Sequence, residues 1–170
     1  MPTDVQRNAS TEVVCGLAEE VVHTFGELRL RVFGTSMVPS ILPGDLVSIR
    51  QADLQDVSPG EVVLFLQKGR LFVHRVVGRA VAAAADGSEE PCLITRGDRL
   101  RHDDPPVVSS AFLGRVVSIK RDNREVKLAA RGSNHLIVPL LMASDRVTYL
   151  YLRLAAGWRT LFLRRRKCQA

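Results

Sequence analysis

A chain of 170 residues, 46% of them apolar, can bury a real core, so wholesale disorder is excluded and one domain with terminal appendages is expected. Its 24 Lys and Arg outweigh 18 Asp and Glu, a net charge of +6, which suits an anionic surface without naming one. Cys15, Cys92 and Cys168 are far apart and odd in number, which indicates neither a disulfide framework nor a zinc site and favours a reducing compartment.

Residues 1–9 are polar and expected to fray. No basic start leads into an apolar run, so no secretory signal is expected. From Ser10 or Thr11, Val13, Val14, Leu17, Val21 and Phe25 recur at helical spacing, interleaved with Glu12, Glu19 and Glu20. This predicts an amphipathic helix of about four turns with those residues as its apolar face, ending near Gly26. The period then switches to two: Leu28, Leu30 and Val32 alternate with Arg29, Arg31 and Phe33, a half-buried strand.

"GTSMVPS" follows as a turn region. "LPGDLVSI" (42–49) and "SPGEVVLF" (58–65) each set Pro-Gly-acid before a β-branched run, and each predicts a tight turn feeding a strand. "QKGR" (67–70) reads as a hairpin turn and "LFVHRVVGR" (71–79) as its returning strand. The Ala-rich 80–90 is expected to be a loop or a short helix, broken at Asp86-Gly87. Strand signals return at 92–96 and 111–120, around a charged loop at 97–106. Short strands at this spacing predict a mainly β core of antiparallel strands.

From Ser144 the pattern is helical again. Val147, Leu150, Tyr151, Leu154, Trp158, Leu161 and Phe162 share a face, flanked by arginines and ending in "RRRK". Trp, Tyr and a basic end fit a helix lying in a membrane interface; packing on the domain or on a partner is the other reading. No run of about 18 apolar residues occurs, so no ordinary membrane span is expected. The organisation is therefore a tail and amphipathic helix (1–27), a β-rich domain (28–138) and an amphipathic, basic C-terminal helix (139–170).

A serine hydroxyl becomes a nucleophile only with a base in reach and donors aimed at the developing oxyanion. Ser36 sits in a turn after a strand, where backbone N–H groups are free to donate. His74, in a strand beside Phe72 and Val76, is a candidate base; the bland reading is a core histidine with a bonding partner. Asp98 and the pair Asp103-Asp104 stand in the loop after the next strand and could hold an imidazole, or simply serve turn chemistry in a solvated loop. "HDD" is too small a donor set to indicate a metal, and no cofactor is expected.

The order of these elements is more specific than any one of them. Gly-x-Ser-Met-x-Pro, Pro-Gly-Asp-x-Val, Gly-Glu-Val-Val, His-Arg-Val-Val, then Gly-Asp with a paired Asp, over roughly residues 28–120, resembles the signal peptidase I family. It resembles most the Ser–His branch found in archaea, in the endoplasmic reticulum and in some bacteria. The resemblance implies a signal peptidase/LexA-like antiparallel β core and a groove where an extended peptide presents a small residue to Ser36. It implies Ser36 as nucleophile, His74 as general base, Asp98 as the acid of the Gly-Asp motif and Asp104 as the acid orienting the histidine, with Asp103 the alternative. Gly34, Thr35, Met37 and Pro39 complete the nucleophile loop. Some members add a hydroxyl oxyanion donor two residues before the serine; Gly34 stands there, so that donor is missing.

The N-terminal membrane span usual in that family is replaced here by the amphipathic segment 10–26. The implied enzyme is then cytoplasmic or peripheral to a membrane, acting on a peptide or preprotein. Either the C-terminal helix on an anionic surface or a membrane-embedded partner would hold it there. Two alternatives stand beside this reading. One is a self-cleaving repressor-type peptidase of the same clan, for which Cys15-Gly16 is a candidate cleavage dipeptide, although 1–27 is too short for a helix-turn-helix domain. The other is a catalytically silent, membrane-associated interaction module. Nucleic-acid binding is disfavoured, because the arginines cluster at a helix end without interleaved aromatics in the β region.

Overall fold

In the computed structural model of the protein, residues 4–83, 87–128 and 147–154 are described, with side chains from Val13 onward. The chain divides into two compact units, Met1–Arg131 and Gly132–Ala170. In the second, residues 147–154 are helical; the remainder of the expected C-terminal helix lies outside the described residues.

The first unit is mainly β. Helix α1 (Asp4–Phe25) precedes β1 (Glu27–Arg31), β2 (Leu46–Arg50), β3 (Val62–Gln67), β4 (Arg70–Ala83), β5 (Glu89–Arg96), β6 (Val107–Val108), β7 (Phe112–Arg121) and β8 (Arg124–Val126). The strands form one antiparallel sheet in the order β1-β2-β7-β3-β4-β5-β6, with β8 hairpinned onto β7.

Helix α1 departs from expectation twice. It starts at Asp4 rather than Ser10. Residues 4–9 contain no Gly or Pro, and an established helix extends at little cost through such a stretch. Its buried stripe is also not the expected one. Cys15, Ala18 and Val22 are buried, whereas Val13, Val14, Leu17 and Phe25 are exposed and Val21 is half-buried. Small side chains let the helix approach the sheet closely, and Cys15 Sγ donates to the Gly69 carbonyl at 3.3 Å, beside the β3–β4 turn. The helix ends as expected at Gly26, whose φ of 70° and N–H bond to Val22 O (2.9 Å) form a left-handed cap.

The β3–β4 hairpin turns at Lys68-Gly69, both with positive φ (49° and 68°), the geometry that matches strand twist. Residues 80–83 are neither loop nor helix. They extend β4, with Ala80, Val81, Ala82 and Ala83 registered against Cys92, Pro91, Glu90 and Glu89. Backbone pairing to β5 overrides alanine's helical preference. β6 and β8 are too short to carry a periodic signal.

Two apolar clusters hold the sheet. One joins Val47, Ile49, Val62 and Leu64 to Met37 and Ile41 of the turn after β1. The other joins Val63, Phe65, Val76, Leu93 and Phe112. The first cluster positions the site. Met37 and Ile41 are fully buried, each contributing about 1.5–3 kcal/mol, so the turn bearing Ser36 is pinned by its own side chains.

Candidate active site

The turn 36–40 is tied to the sheet at both ends. Val32 N–H donates to Asp45 O at 2.9 Å and Gly44 N–H donates to Val32 O at 2.6 Å, extending the β1–β2 ladder to the edge of the loop. Asp45, the acid of the first Pro-Gly-Asp, is buried. Its carboxylate accepts from Leu42 N–H (2.8 Å) and from Arg121 Nε and Nη2 (2.9 and 2.6 Å). This ion pair fastens the far end of the serine turn to β7. Pro39 follows a cis peptide bond, and Met37 is packed in the core.

Across from the turn, β4 carries His74, almost completely buried beside the rings of Phe65 and Phe72. Its Nε2 lies 2.8 Å from Ser36 Oγ and its Nδ1 lies 2.7 Å from Asp104 Oδ2. A carboxylate only accepts, so Nδ1 carries the proton and Nε2 presents a lone pair to the serine hydroxyl. Asp104 is fixed in turn by β5. Its N–H donates to Thr95 O, and Thr95 Oγ1 donates to the same Oδ2 that faces the imidazole, both at 2.8 Å.

Asp103 and Asp98 have other partners. Asp103 faces Arg96 at 3.3 Å and is half exposed, whereas Asp104 is the carboxylate that meets His74. Asp98 receives Arg75 through Nε at 2.7 Å and Nη2 at 2.8 Å, and the Ser40 hydroxyl at 2.5 Å. Arg75, buried and next to His74, also donates to Gly60 O at 2.8 Å. Asp98 therefore joins the strand bearing the imidazole to the turn bearing the hydroxyl, rather than bonding to either reacting group.

Two glycines lie close to Ser36. A Cβ on Gly97 would lie 2.9 Å from Ser36 O and 3.0 Å from the Leu100 side chain, so the loop 97–106 sits this close only because residue 97 has none. Arg99 N–H donates to that same carbonyl at 2.8 Å. A Cβ on Gly34 would stand 4.0 Å from Ser36 Oγ, an ordinary contact distance. Thr35 turns its hydroxyl toward Arg99 Nη2 at 3.4 Å. The Ser36 N–H makes no hydrogen bond among the described residues. No cluster of His, Cys, Asp or Glu among the described residues could hold a metal ion.

Sequence reasoning missed Arg75, Thr95, Ser40 and Gly97 as parts of the site. Arg75 had a signal: it follows the histidine directly and lies within the run Val73–Val77 whose other members are valines, so a buried Arg75 has to find a partner. Thr95 and Ser40 had none, since their contacts depend on tertiary register.

A hydroxyl, an imidazole and a carboxylate in hydrogen-bonded series on a β-sheet form the arrangement that nucleophilic hydrolysis requires. The Peptidase S24-like family model matches residues 7–82, a stretch that includes most of α1, Ser36 and His74 and ends before Asp98 and Asp104. The match supports the serine-peptidase clan that holds both self-cleaving repressors and signal peptidases, without singling out the latter. No curated protein matches the chain.

Proposed function

We propose that the chain is a serine endopeptidase of the signal peptidase I type, cutting after small residues through Ser36, His74 and Asp104. The observation that carries this reading is the unbroken series in which Ser36 Oγ meets His74 Nε2 at 2.8 Å and His74 Nδ1 meets Asp104 Oδ2 at 2.7 Å. Ser36 Oγ attacks the scissile carbonyl as its proton passes to His74 Nε2. Asp104 stabilises the imidazolium, and the Ser36 N–H faces the developing oxyanion. The imidazolium then protonates the leaving amine as the C–N bond breaks, leaving an ester on Ser36. Water, deprotonated by His74, hydrolyses that ester and restores the hydroxyl. By this reading the enzyme works at an anionic membrane surface, held by its C-terminal helix.

The test is turnover of a peptide library, with serine-directed labelling, by wild type, Ser36→Ala and His74→Ala. Cleavage after small residues, lost by more than about 10⁴-fold in both variants, is the expected result. Undiminished cleavage in either variant, or neither cleavage nor labelling with and without vesicles, would sink the proposal.

A second reading, self-cleavage at Cys15-Gly16, draws on the family match, which spans that dipeptide. In the structure Cys15 is buried and lies within α1, whereas a peptidase acts on an extended chain. Self-cleavage would therefore require α1 to unwind. Intact mass after prolonged incubation separates the readings: a Ser36-dependent loss of residues 1–15 would favour the second.

A further inference from the structure

Strand β1 is an edge strand, and it runs directly into the loop that bears Ser36. Its pairing shows which backbone groups remain open. Gly26 O accepts from Gln51 N–H, Val32 N–H donates to Asp45 O, and Val32 O accepts from Gly44 N–H. In an antiparallel ladder the N–H and C=O of alternate residues point to opposite edges. The even-numbered residues 26–32 therefore face β2. The backbone groups of Glu27, Arg29, Arg31 and Phe33 face outward, and β1 pairs only with β2 among the described residues. Among the described residues this leaves a strand position unfilled, beside the chain that leads to Ser36.

The side chains beside that edge are not neutral. Leu28, Leu30 and Val32 pack into the core, so Glu27, Arg29, Arg31 and Phe33 stand on the opposite face, and Phe33 is 80% exposed. Arg29 already has Glu27 at 3.2 Å. Arg31, the cation nearest Ser36 on this row, gives one N–H to Gly44 O at 2.7 Å and has no carboxylate partner among the described residues. Side chains directly opposite on paired strands lie within about 5.5 Å, and opposite charges there attract. A peptide laid along this edge, each residue advancing about 3.3 Å, meets this guanidinium at the end of β1, before the turn that bears Ser36.

We propose that the edge of β1 selects extended peptides carrying an acidic residue opposite Arg31, with Arg29 in support. This selectivity rests on the peptidase reading given above for Ser36. The charge preference comes from this chain's own arginines, and the backbone pairing from the outward groups of Arg29, Arg31 and Phe33.

The experiment measures binding separately from cleavage. Fluorescence anisotropy on Ser36→Ala protein compares two labelled peptides that differ only by Glu or Lys, the substituted position being walked along the peptide to find the one opposite Arg31. Hydrogen exchange reads the amides of Arg29, Arg31 and Phe33. The Glu peptide is expected to bind about tenfold more tightly than the Lys peptide and to slow exchange at those three amides. Arg31→Glu should reverse the preference. Arg124→Glu with Lys127→Glu, which alters exposed charge on and after β8, should leave it in place. Equal binding of the two peptides, absent protection of the three amides, or an equal loss in the β8 variant would each overturn the inference. Wild-type turnover of the same peptides keeps the two proposals distinguishable. Selective, protected binding without cleavage would retain the edge and sink the peptidase. Cleavage without charge preference would do the reverse.

Discussion

At the residue scale, the site depends on which proton sits where. Asp104 faces His74 Nδ1 at 2.7 Å and is itself held by Thr95, so one imidazole tautomer is favoured and its lone pair points at Ser36. Asp104→Asn can present an amide N–H toward Nδ1 instead, which favours the tautomer whose Nε2 carries the proton and cannot accept from serine. We expect kcat for peptide cleavage to fall by about 10⁴-fold with the fold intact, measured by steady-state kinetics alongside circular dichroism. Asp103→Asn should leave kcat essentially unchanged, because Asp103 faces Arg96 from an exposed position. Equal losses in the two variants would show that the loop's overall charge matters and the particular contact does not. The pair Asp103-Asp104 also shows how far sequence could go. It was legible as an acidic element of the site, but neighbouring residues in a loop have no periodicity to say which one points inward. Only the Asp104 N–H bond to Thr95 O, a tertiary contact, decides it.

At the element scale, β4 and the serine turn are held in register by a buried ion pair rather than by apolar contact alone. Arg75 is 2% exposed and bridges Asp98, while Asp98 also accepts from Ser40. Removing one partner leaves an uncompensated buried charge, so Arg75→Met should destabilise the protein by about 3–5 kcal/mol. Adding Asp98→Leu should recover much of that stability, since an apolar pair of similar volume is often tolerated. If the pair also aligns the turn with His74, the double variant will be folded yet slow, with the loss in kcat rather than KM. Chemical denaturation and kinetics on the same samples check both halves. The helix offers a second test. Its period was readable in sequence, but its buried side was not, because hydropathy favoured Val13, Leu17 and Phe25 while close packing selected Cys15, Ala18 and Val22. Accordingly Leu17→Gln should change stability by no more than about 0.5 kcal/mol. Val22→Ala, at a fully buried position, should cost about 2 kcal/mol by the same denaturant measurement. The strands were more legible than the helix face. Pro-Gly turns and β-branched runs encode them locally, whereas the pairing that draws Ala80–Ala83 into β4 is long-range and left no local mark.

At the scale of the whole molecule, charge and apolar surface bear on where the chain acts. The net charge is +6, with "RRRK" near the end of the sequence. Within the described helical stretch 147–154, Leu150 and Leu154 are exposed at 58% and 55%, and Arg153 lies over the Tyr149 ring at 5.9 Å. No described helix is long and apolar enough to cross a membrane, and the attachment proposed above is interfacial. Each arginine near an anionic leaflet adds about 1 kcal/mol, and buried leucine side chains add the apolar share. The full chain should therefore sediment with anionic vesicles and much less with zwitterionic ones. Binding should weaken as salt rises, because surface attraction is screened over about 8 Å at physiological ionic strength. Leu150→Glu with Leu154→Glu should reduce vesicle binding by more than tenfold, removing both apolar area and net positive charge. Cleavage of a short soluble peptide by that variant should persist, since neither leucine belongs to the Ser36–His74–Asp104 series. Binding unchanged by the two substitutions, or equal on neutral vesicles, would detach this helix from the question of location. The peptidase would then require a protein partner to reach a membrane-bound substrate.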